Sequence, residues 1–492
     1  MTPRMRRVVF RCDAGKSTGA GHVVRVVSLI EQARTRGWDA VVCGRIDNDF
    51  ASSLLRARDV PVLPAPESVE ELAAQVAGAG ADVLHVDHYG SFEGLAEACR
   101  DAGVLLSSVE DGPWGRRRAD LVLDASPGAE LTHRPDDGSH RLLRGTRAIP
   151  LRSVITSLEP HRVRTDAVPA EVLVILGGTD AANLAETLTG WWLDTRTPST
   201  VHAVTPRPLA VNLRDGQRLV QHEPSESVPT LFPAMDLVIS GSGTTIWELA
   251  ALGVPTALVQ VVDNQQLNHD FALRAGFSRG LDLADAEGSI ATLRDLMRDA
   301  QARRRMSEAG RAVVDGRGVD RVLDLWEELL AVPVDAVNAR PATIDDAGLL
   351  YDWRNDPSVR EASRQTAPIV WDQHVAWLQA TLENPDRLLL IAQSGRQPVG
   401  TVRFDREPAD HGDGQTWEVS ITLAPVARGR RLAGSVLGAA EAVAVTGPAA
   451  GATGFSAEAQ ESNPASWRLF LAGGYTRVSG APPGWVRLEK SR

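Results

Sequence analysis

The sequence predicts an α/β protein made of two successive parallel-sheet halves followed by a third, smaller α/β domain. Three observations carry this. Short apolar runs alternate with helical patterns from residue 7 onward; an apolar strand runs directly into a glycine-rich loop and a helix twice, near residue 7 and again at Glu171; and the pattern restarts near residue 339. The restart follows residues 331–338, AVPVDAVN, a small-residue, proline-containing linker. A chain of 492 residues is too long for one core. The expected division is 1–155, 156–330, linker 331–338 and 339–492.

Composition narrows the function classes. Net charge is −11 and no basic stripe occurs, which argues against nucleic acid or an anionic membrane surface as partner. Nearly all positive charge is arginine, lysine occurring at Lys16 and Lys490 alone. Cys12, Cys43 and Cys99 have no paired spacing and read as reduced thiols of a cytoplasmic protein. The basic start lacks an apolar run of signal-peptide length, and no stretch is long enough to span a bilayer.

The first strand is RVVFRC at residues 7–12, followed by Asp13, the loop AGKSTGAGH and a helix through Val23, Val26, Val27 and Ile30. Gly15-Lys16-Ser17-Thr18 imitates the end of a phosphate-binding Walker loop, but that motif's first glycine would fall on Phe10, so a P-loop is rejected. What remains is Gly19-Ala20-Gly21-His22, an imidazole at the first turn of a helix. There the dipole disfavours the charged ring, which suits a neutral base; the alternative is a capping or packing histidine. Further strands are expected at residues 40–43, 82–86, 104–109 and 119–123, with a helix at 69–76. Strand 82–86 ends in Asp87-His88-Tyr89-Gly90, where polar residues line the crevice of an open sheet or simply a solvated loop. The strand at 104–109 leads to Glu110-Asp111 and GPWGRRRAD.

The second half opens with EVLVILGGTDAAN, an apolar strand meeting Gly177-Gly178-Thr179-Asp180, with a helix expected from Ala181 and Ala182. At residues 236–266 the strand Leu237-Val238-Ile239 turns through Ser240, Gly241, Ser242 and Gly243. It enters a helix at Thr244 and Thr245 that carries Glu248 one turn in. Free N–H groups at such a turn favour an anion, Glu248 could accept a diol, and the amides Asn264 and Gln265 follow the strand 254–261. Diphosphate plus ribose suits this layout; an ordinary glycine-rich turn is the alternative.

Together, Gly19-Ala20-Gly21-His22 with Arg25, the 86–90 segment, Gly177-Gly178-Thr179-Asp180, the 240–248 turn, Asp263-Asn264-Gln265 and Asp315-Gly316-Arg317-Gly318 with Arg321 resemble the PseG family. These are UDP-sugar hydrolases of pseudaminic acid biosynthesis, with the GT-B fold of MurG-type glycosyltransferases. The resemblance covers residues 6–325. It implies that His22 activates water against the anomeric carbon, with Asp87 and Tyr89 also catalytic, and that no metal is needed. It further implies that Asp13, Gly21, Arg25, His88, Gly178, Thr179, Ser242, Gly243, Thr244, Thr245, Glu248, Asn264 and Gln265 hold the nucleotide sugar. Within this group Glu248 would take the ribose, and the amides of residues 241–245 the diphosphate.

Beyond the linker come Trp353-Arg354-Asn355-Asp356-Pro357, a helical pattern with Trp371, His374 and Trp377, strands at 388–392 and 399–404, and the alternating strand WEVSITLAP. The last feeds Arg428-Gly429-Arg430-Arg431-Leu432-Ala433-Gly434 and a helix at 435–445, a pyrophosphate cradle or else surface arginines. With Gly400 and the helix Asn463…Ser466…Phe470 before Gly474-Tyr475, residues 339–480 resemble the GNAT acetyltransferases. They are most similar to the sugar-nucleotide N-acetyltransferases paired with pseudaminic acid enzymes. The resemblance implies acetyl-CoA as co-substrate along strand 417–423, held by Leu423, residues 428–434, Asn463 and Ser466. Arg431 stands where such cradles carry glycine, and Phe470 where a tyrosine often protonates the thiolate; Glu418 or His374 would activate the amine.

The expected function is a bifunctional amino-sugar enzyme that N-acetylates a UDP-linked amino-deoxysugar and hydrolyses it to free sugar and UDP. A glycosyltransferase using an acceptor other than water, and a non-enzymatic sugar-nucleotide binder with a vestigial acetyltransferase domain, are the alternatives.

Overall fold

The computed structural model describes residues 5–15, 20–161, 170–177, 180, 182–331, 337–408, 415–428 and 432–492, the side chain of Asn264 aside. Its first sheet has seven parallel strands: β1 (Arg7–Cys12), β2 (Asp39–Cys43), β3 (Val62–Leu63), β4 (Val83–Asp87), β5 (Leu105–Glu110), β6 (Leu121–Asp124) and β7 (Arg141–Arg144). They lie in the order β3-β2-β1-β4-β5-β6-β7. Every residue of β4 is buried, as a parallel strand covered on both faces requires. The second sheet is also parallel: β8 (Glu171–Ile175), β9 (Ser199–Val204), β10 (Gln217–His222), β11 (Leu237–Gly241), β12 (Thr256–Val259) and β13 (Ser278–Leu281), ordered β10-β9-β8-β11-β12-β13.

Both sheets reverse their order at one place, between β1 and β4 and between β8 and β11. Connections there leave in opposite directions, which opens a crevice at the carboxyl ends of the strands. The stretches that stood out in the sequence follow those four strands. The fold therefore brings them together in pairs.

One expected element starts late. The helix placed at Ala181–Ala182 begins at Ala185, because Asp180 (φ 43°) and Asn183 (φ 56°) hold the left-handed conformation. The Asp180 carboxylate accepts from the N–H groups of Leu184 (2.9 Å) and Ala185 (3.3 Å), so the chain turns once more before the helix starts.

The helix Gly318–Ala331 returns to the first domain. Val319, Val322, Leu323 and Trp326 share one face and join the core around Val8, Phe10 and Val26. Trp326 is fully buried, with ring centroids 6.2 Å from Phe10, 5.9 Å from Trp38 and 5.6 Å from His85. Just before it, Arg321 pairs with Asp315 (2.9 Å), and Gly318 lies so close to the Ile149 carbonyl that no Cβ would fit. The Asp315…Arg321 motif thus serves to turn the chain back between domains.

The third domain is one mixed sheet: β14 (Val337–Pro341), β15 (Arg387–Ser394), β16 (Gln397–Arg406), β17 (Gln415–Leu423), β18 (Ala452–Gln460), β19 (Thr476–Val478) and β20 (Trp485–Ser491). The order is β14-β15-β16-β17-β18-β20-β19, and only the β17–β18 pair is parallel. Strand β14 begins inside the stretch expected as linker.

This domain docks on the first through polar contacts. His133 meets Asp352 (2.7 Å), Trp353 Nε1–H donates to Asp136 (3.2 Å), Trp371 Nε1–H to the Leu131 carbonyl (2.8 Å), and the Arg144 N–H to Asp345 (3.2 Å). Burial pushes the Asp345 carboxyl up to about 7, with Asp346 adding to it and Arg147 and Arg144 opposing it. The folded protein therefore holds this proton more tightly than the unfolded chain. Its contribution to stability is complete below the ordinary aspartate range and is lost as pH rises through about 7. Asp345→Asn, neutral throughout, is expected to flatten the fall in Tm between about pH 4 and pH 7 and to be the more stable protein at the upper end. Calorimetric Tm against pH checks this, and parallel curves for the two proteins would contradict it.

Candidate functional site

At the β1/β4 crevice, His22 is the second residue of the helix Gly21–Thr35, and its Nδ1 lies 2.7 Å from Asp87 Oδ1. Asp87 ends β4 and is 1% exposed. Burial alone would raise its carboxyl, but the Arg25 charge and the hydrogen bonds from His22 and Arg25 outweigh that and hold it well below the usual range. An ionised carboxylate only accepts, so at this distance Nδ1 carries a proton, and in the neutral ring the lone pair is the one on Nε2. Arg25 was expected on the nucleotide sugar; its guanidinium instead grips Asp87 through Nε (2.9 Å) and Nη2 (2.7 Å). Asp87 is likewise too buried to meet a substrate, and its carboxylate is taken up by His22 and Arg25.

Tyr89 packs its ring against His22 at 5.0 Å and donates its hydroxyl to Asp111 (3.1 Å). Asp13 and His88 hold each other: His88 Nδ1 accepts from the Gly90 N–H (2.8 Å), so the proton on Nε2 donates to Asp13 (3.1 Å). Asp13 also receives Arg11 and the Arg45 N–H. Both side chains are therefore spoken for within the protein. Gly21 has open space where a Cβ would stand, so packing does not demand glycine there.

At the β8/β11 crevice a cavity of about 280 Å³ is lined by Gly177, Asp180, Gly243, Thr244, Thr245 and Gln265. It adjoins a second, of about 370 Å³, between Val262, His269 and Asp282. The helix Thr245–Leu252 has no side-chain cap, and the N–H groups of Gly243, Thr244 and Thr245 meet no acceptor among the described residues. Ser242 is a correction. Its N–H donates to the Val259 carbonyl (3.1 Å) and its buried hydroxyl is shared between that carbonyl (3.0 Å) and His269 (2.8 Å), so the open amides are those of residues 243–245. Gln265 accepts from the Val261 N–H (3.0 Å) and keeps its amide nitrogen beside Gly243. Glu248 is gripped by Arg152 from the segment joining the two domains, Nε to Oε1 and Nη2 to Oε2, both 2.7 Å. Gly178, Thr179 and the Asn264 side chain lie outside the described residues.

In the third domain β17 and β18 pair over Gln415–Ala452 to Glu418–Ser456 and no further, while β17 continues to Leu423 and β18 to Gln460. The strands splay there, leaving main-chain groups of residues 419–423 facing the gap. Glu418 stands at the point of divergence. Burial and then Glu458 raise its carboxyl, and no cation lies within ion-pair distance of it among the described residues. His374 is not available as a base. It is 2% exposed, its Nε2–H donates to the Ala347 carbonyl (2.9 Å), and Tyr351, Trp371 and Trp377 surround it.

Arg428 is also corrected: it binds Ser358 (2.7 Å), Asp356 (3.0 Å) and the Leu423 carbonyl (3.3 Å), which turns it away from the helix start. Leu432, Ala433 and Gly434 form the beginning of the helix Ala433–Thr446, and a Cβ at Gly434 would meet nothing within 4 Å. Gly429, Arg430 and Arg431 lie outside the described residues. Asn463 caps the helix Pro464–Ala472 by accepting from the Ser466 N–H (3.2 Å). Phe470 is buried against Tyr475, whose hydroxyl donates to Glu441 (2.7 Å), so neither ring reaches the gap.

Three participants escaped the sequence reading. Arg152 is 96 residues from Glu248 and has no local signature. His269 sits below Ser242 on the helix Gln266–Arg274. Arg117 holds the 88–90 loop by donating to the carbonyls of His88 (2.5 Å) and Gly90 (3.0 Å), with burial lowering its guanidinium to about 10.

Comparison with known proteins finds likenesses in both parts of the chain. Residues 337–476 match the acetyltransferase (GNAT) domain family. The first two domains share their fold with MurG of Acinetobacter baumannii, at TM-score 0.51 and 16% identity over 66% of this chain and 99% of that one. A spore coat polysaccharide biosynthesis protein of Bacillus subtilis, SpsG, is 22% identical over 334 residues, 64% of this chain and 96% of its own. An uncharacterized protein of Methanocaldococcus jannaschii is 18% identical over 422 residues, 82% of this chain and 84% of its own. An alignment that long extends past the paired domains into the third. The chain is thus a GT-B fold followed by a GNAT acetyltransferase domain.

Proposed function

We propose that the chain is a bifunctional enzyme of amino-sugar biosynthesis, of the pseudaminic acid type, acting in the cytoplasm. The GNAT domain N-acetylates the amine of a UDP-linked amino-deoxysugar with acetyl-CoA, and the paired domains then release UDP by attack of water. The observation that carries the second step is the His22–Asp87 pair at the crevice. Nε2 takes a proton from water as its oxygen bonds to the anomeric carbon and the bond to the diphosphate breaks. The leaving diphosphate gathers charge, and the open N–H groups of Gly243, Thr244 and Thr245 are suited to hold it. Arg152 occupies the facing lone pairs of Glu248 and fixes the carboxylate, whose remaining lone pairs suit a ribose diol.

Glu248→Ala is expected to raise the KM for the UDP-sugar by roughly tenfold with a smaller change in kcat, since a diol contact far from the reacting bond is uniform binding. Steady-state kinetics checks this, and an unchanged KM removes the ribose role.

For the first step, Glu418 would receive the proton of the substrate ammonium, and the freed amine would attack the thioester carbonyl, expelling CoA thiolate, which takes up the second proton that the nitrogen sheds as the amide forms. The likeness to MurG supports a second reading, transfer to an acceptor other than water. Mass spectrometry of purified protein with acetyl-CoA and a UDP-linked amino-dideoxyhexose separates the two. Acetylation followed by free sugar and UDP supports hydrolysis. Acetylation with UDP retained until an acceptor is added supports transfer, and no acetylation counts against the whole reading.

A further inference from the structure

We propose that Trp114 is the platform on which the sugar ring stacks, and that it selects a pyranose with an apolar, deoxygenated face. This rests on the nucleotide-sugar reading of the crevice and adds to it a residue that reads the sugar rather than the nucleotide.

Trp114 is 67% exposed, whereas every other tryptophan of the chain is buried or half-buried. An indole in water forgoes the burial that normally makes tryptophan worthwhile in a fold, so its place needs a reason other than packing. Its loop is not loose. Asp111 and Trp114 exchange both main-chain hydrogen bonds (2.9 and 3.1 Å), which closes a narrow hairpin beyond β5. Gly112 (φ 58°) and Gly115 (φ 73°) supply the left-handed residues this needs. The Asp111 carboxylate is fixed by the hydroxyls of Tyr89 (3.1 Å) and Ser126 (3.0 Å). Gly115 packs so tightly that a Cβ would stand 3.0 Å from the Val109 carbonyl and 3.3 Å from the Tyr89 ring.

The loop is thereby locked to Tyr89, whose ring touches His22. A rigid hairpin at the carboxyl end of the sheet presents the exposed Trp114 ring on a loop held to Tyr89, the residue that packs on the proposed base. The negative face of such a ring accepts the slightly positive C–H groups of a pyranose. Each hydroxyl missing from that sugar face enlarges the apolar contact.

The test is equilibrium binding of UDP and of a UDP-linked amino-dideoxyhexose to the full-length protein, in a His22→Ala background that prevents turnover. Trp114→Ala is expected to weaken the UDP-sugar by about tenfold while leaving UDP within about twofold, and Trp114→Phe to recover most of the loss. Unchanged UDP-sugar affinity in Trp114→Ala would overturn the proposal. So would equal weakening of both ligands, which would make the ring a support for the loop or a contact for some other partner. Failure of the His22→Ala protein to bind even UDP would instead remove the nucleotide reading beneath it.

Discussion

His22→Ala should abolish UDP release, with a loss of about 10²- to 10⁴-fold, while acetyl transfer from acetyl-CoA proceeds at the wild-type rate. The expectation follows from placement. His22 belongs to the first sheet's crevice, where its Nδ1 meets Asp87 (2.7 Å) and Arg25 Nη2 (3.1 Å), whereas the splayed strands of the third domain contain none of these residues. Asp87→Asn keeps the shape but lets the amide donate to Nδ1, which puts the ring proton on Nε2 and removes the base. It should therefore approach the His22→Ala defect without changing UDP affinity. Paired assays of UDP release and CoA thiol release on each variant decide the matter. Equal loss of both activities would show that the two sites are not separate.

Glu418→Gln should lower kcat/KM for acetyl transfer by about 10²-fold and leave acetyl-CoA affinity alone. Groups of both signs face it: Glu458 and Asp405 raise its carboxyl further, beyond the effect of burial, while Arg364 and Arg403 oppose them. A carboxyl raised in this way is protonated, and useless as a base, over a wider acid range than an ordinary glutamate. The acid limb of the wild-type rate–pH profile should accordingly fall at higher pH than for a free glutamate. Glu458→Gln, by removing a negative neighbour, should move that limb to lower pH. A limb that stays in place in Glu458→Gln would mean that another group sets it.

The central strands were legible because parallel strands are buried on both faces and so read as continuous apolar runs, as at Val8-Val9-Phe10 and Leu237-Val238-Ile239, whereas β3, β7, β9, β10 and β13 of the same two sheets, most of them short or partly exposed, were not among the strands expected. The glycine loops and polar strand ends were legible for a related reason. A strand that must stop at a crevice ends in residues of another kind, as Asp87, His88 and Tyr89 do. Residue types and their spacing are local properties, and they sufficed to indicate an α/β chain, two halves and an acetyltransferase-like third domain.

Which side chains are free is not a local property. Arg25, Asp13, His88 and Arg428 have the chemistry of ligand-binding groups, yet each is taken by a partner brought close by the fold, Arg25 by Asp87 from 62 residues away and Arg428 by Asp356. His374 carries the same imidazole as His22. One is sealed among aromatic rings and the other stands at a helix start facing a carboxylate. The helix Gly318–Ala331 shows the same limit in packing: only the folded chain shows that its apolar stripe completes the first domain's core. Sequence by itself determined the repertoire of elements and reactive groups, because periodicity and composition are written along the chain. Tertiary structure decided which groups neutralise one another and which remain open, because a charge or a donor is satisfied by whatever lies within about 3 Å of it in space.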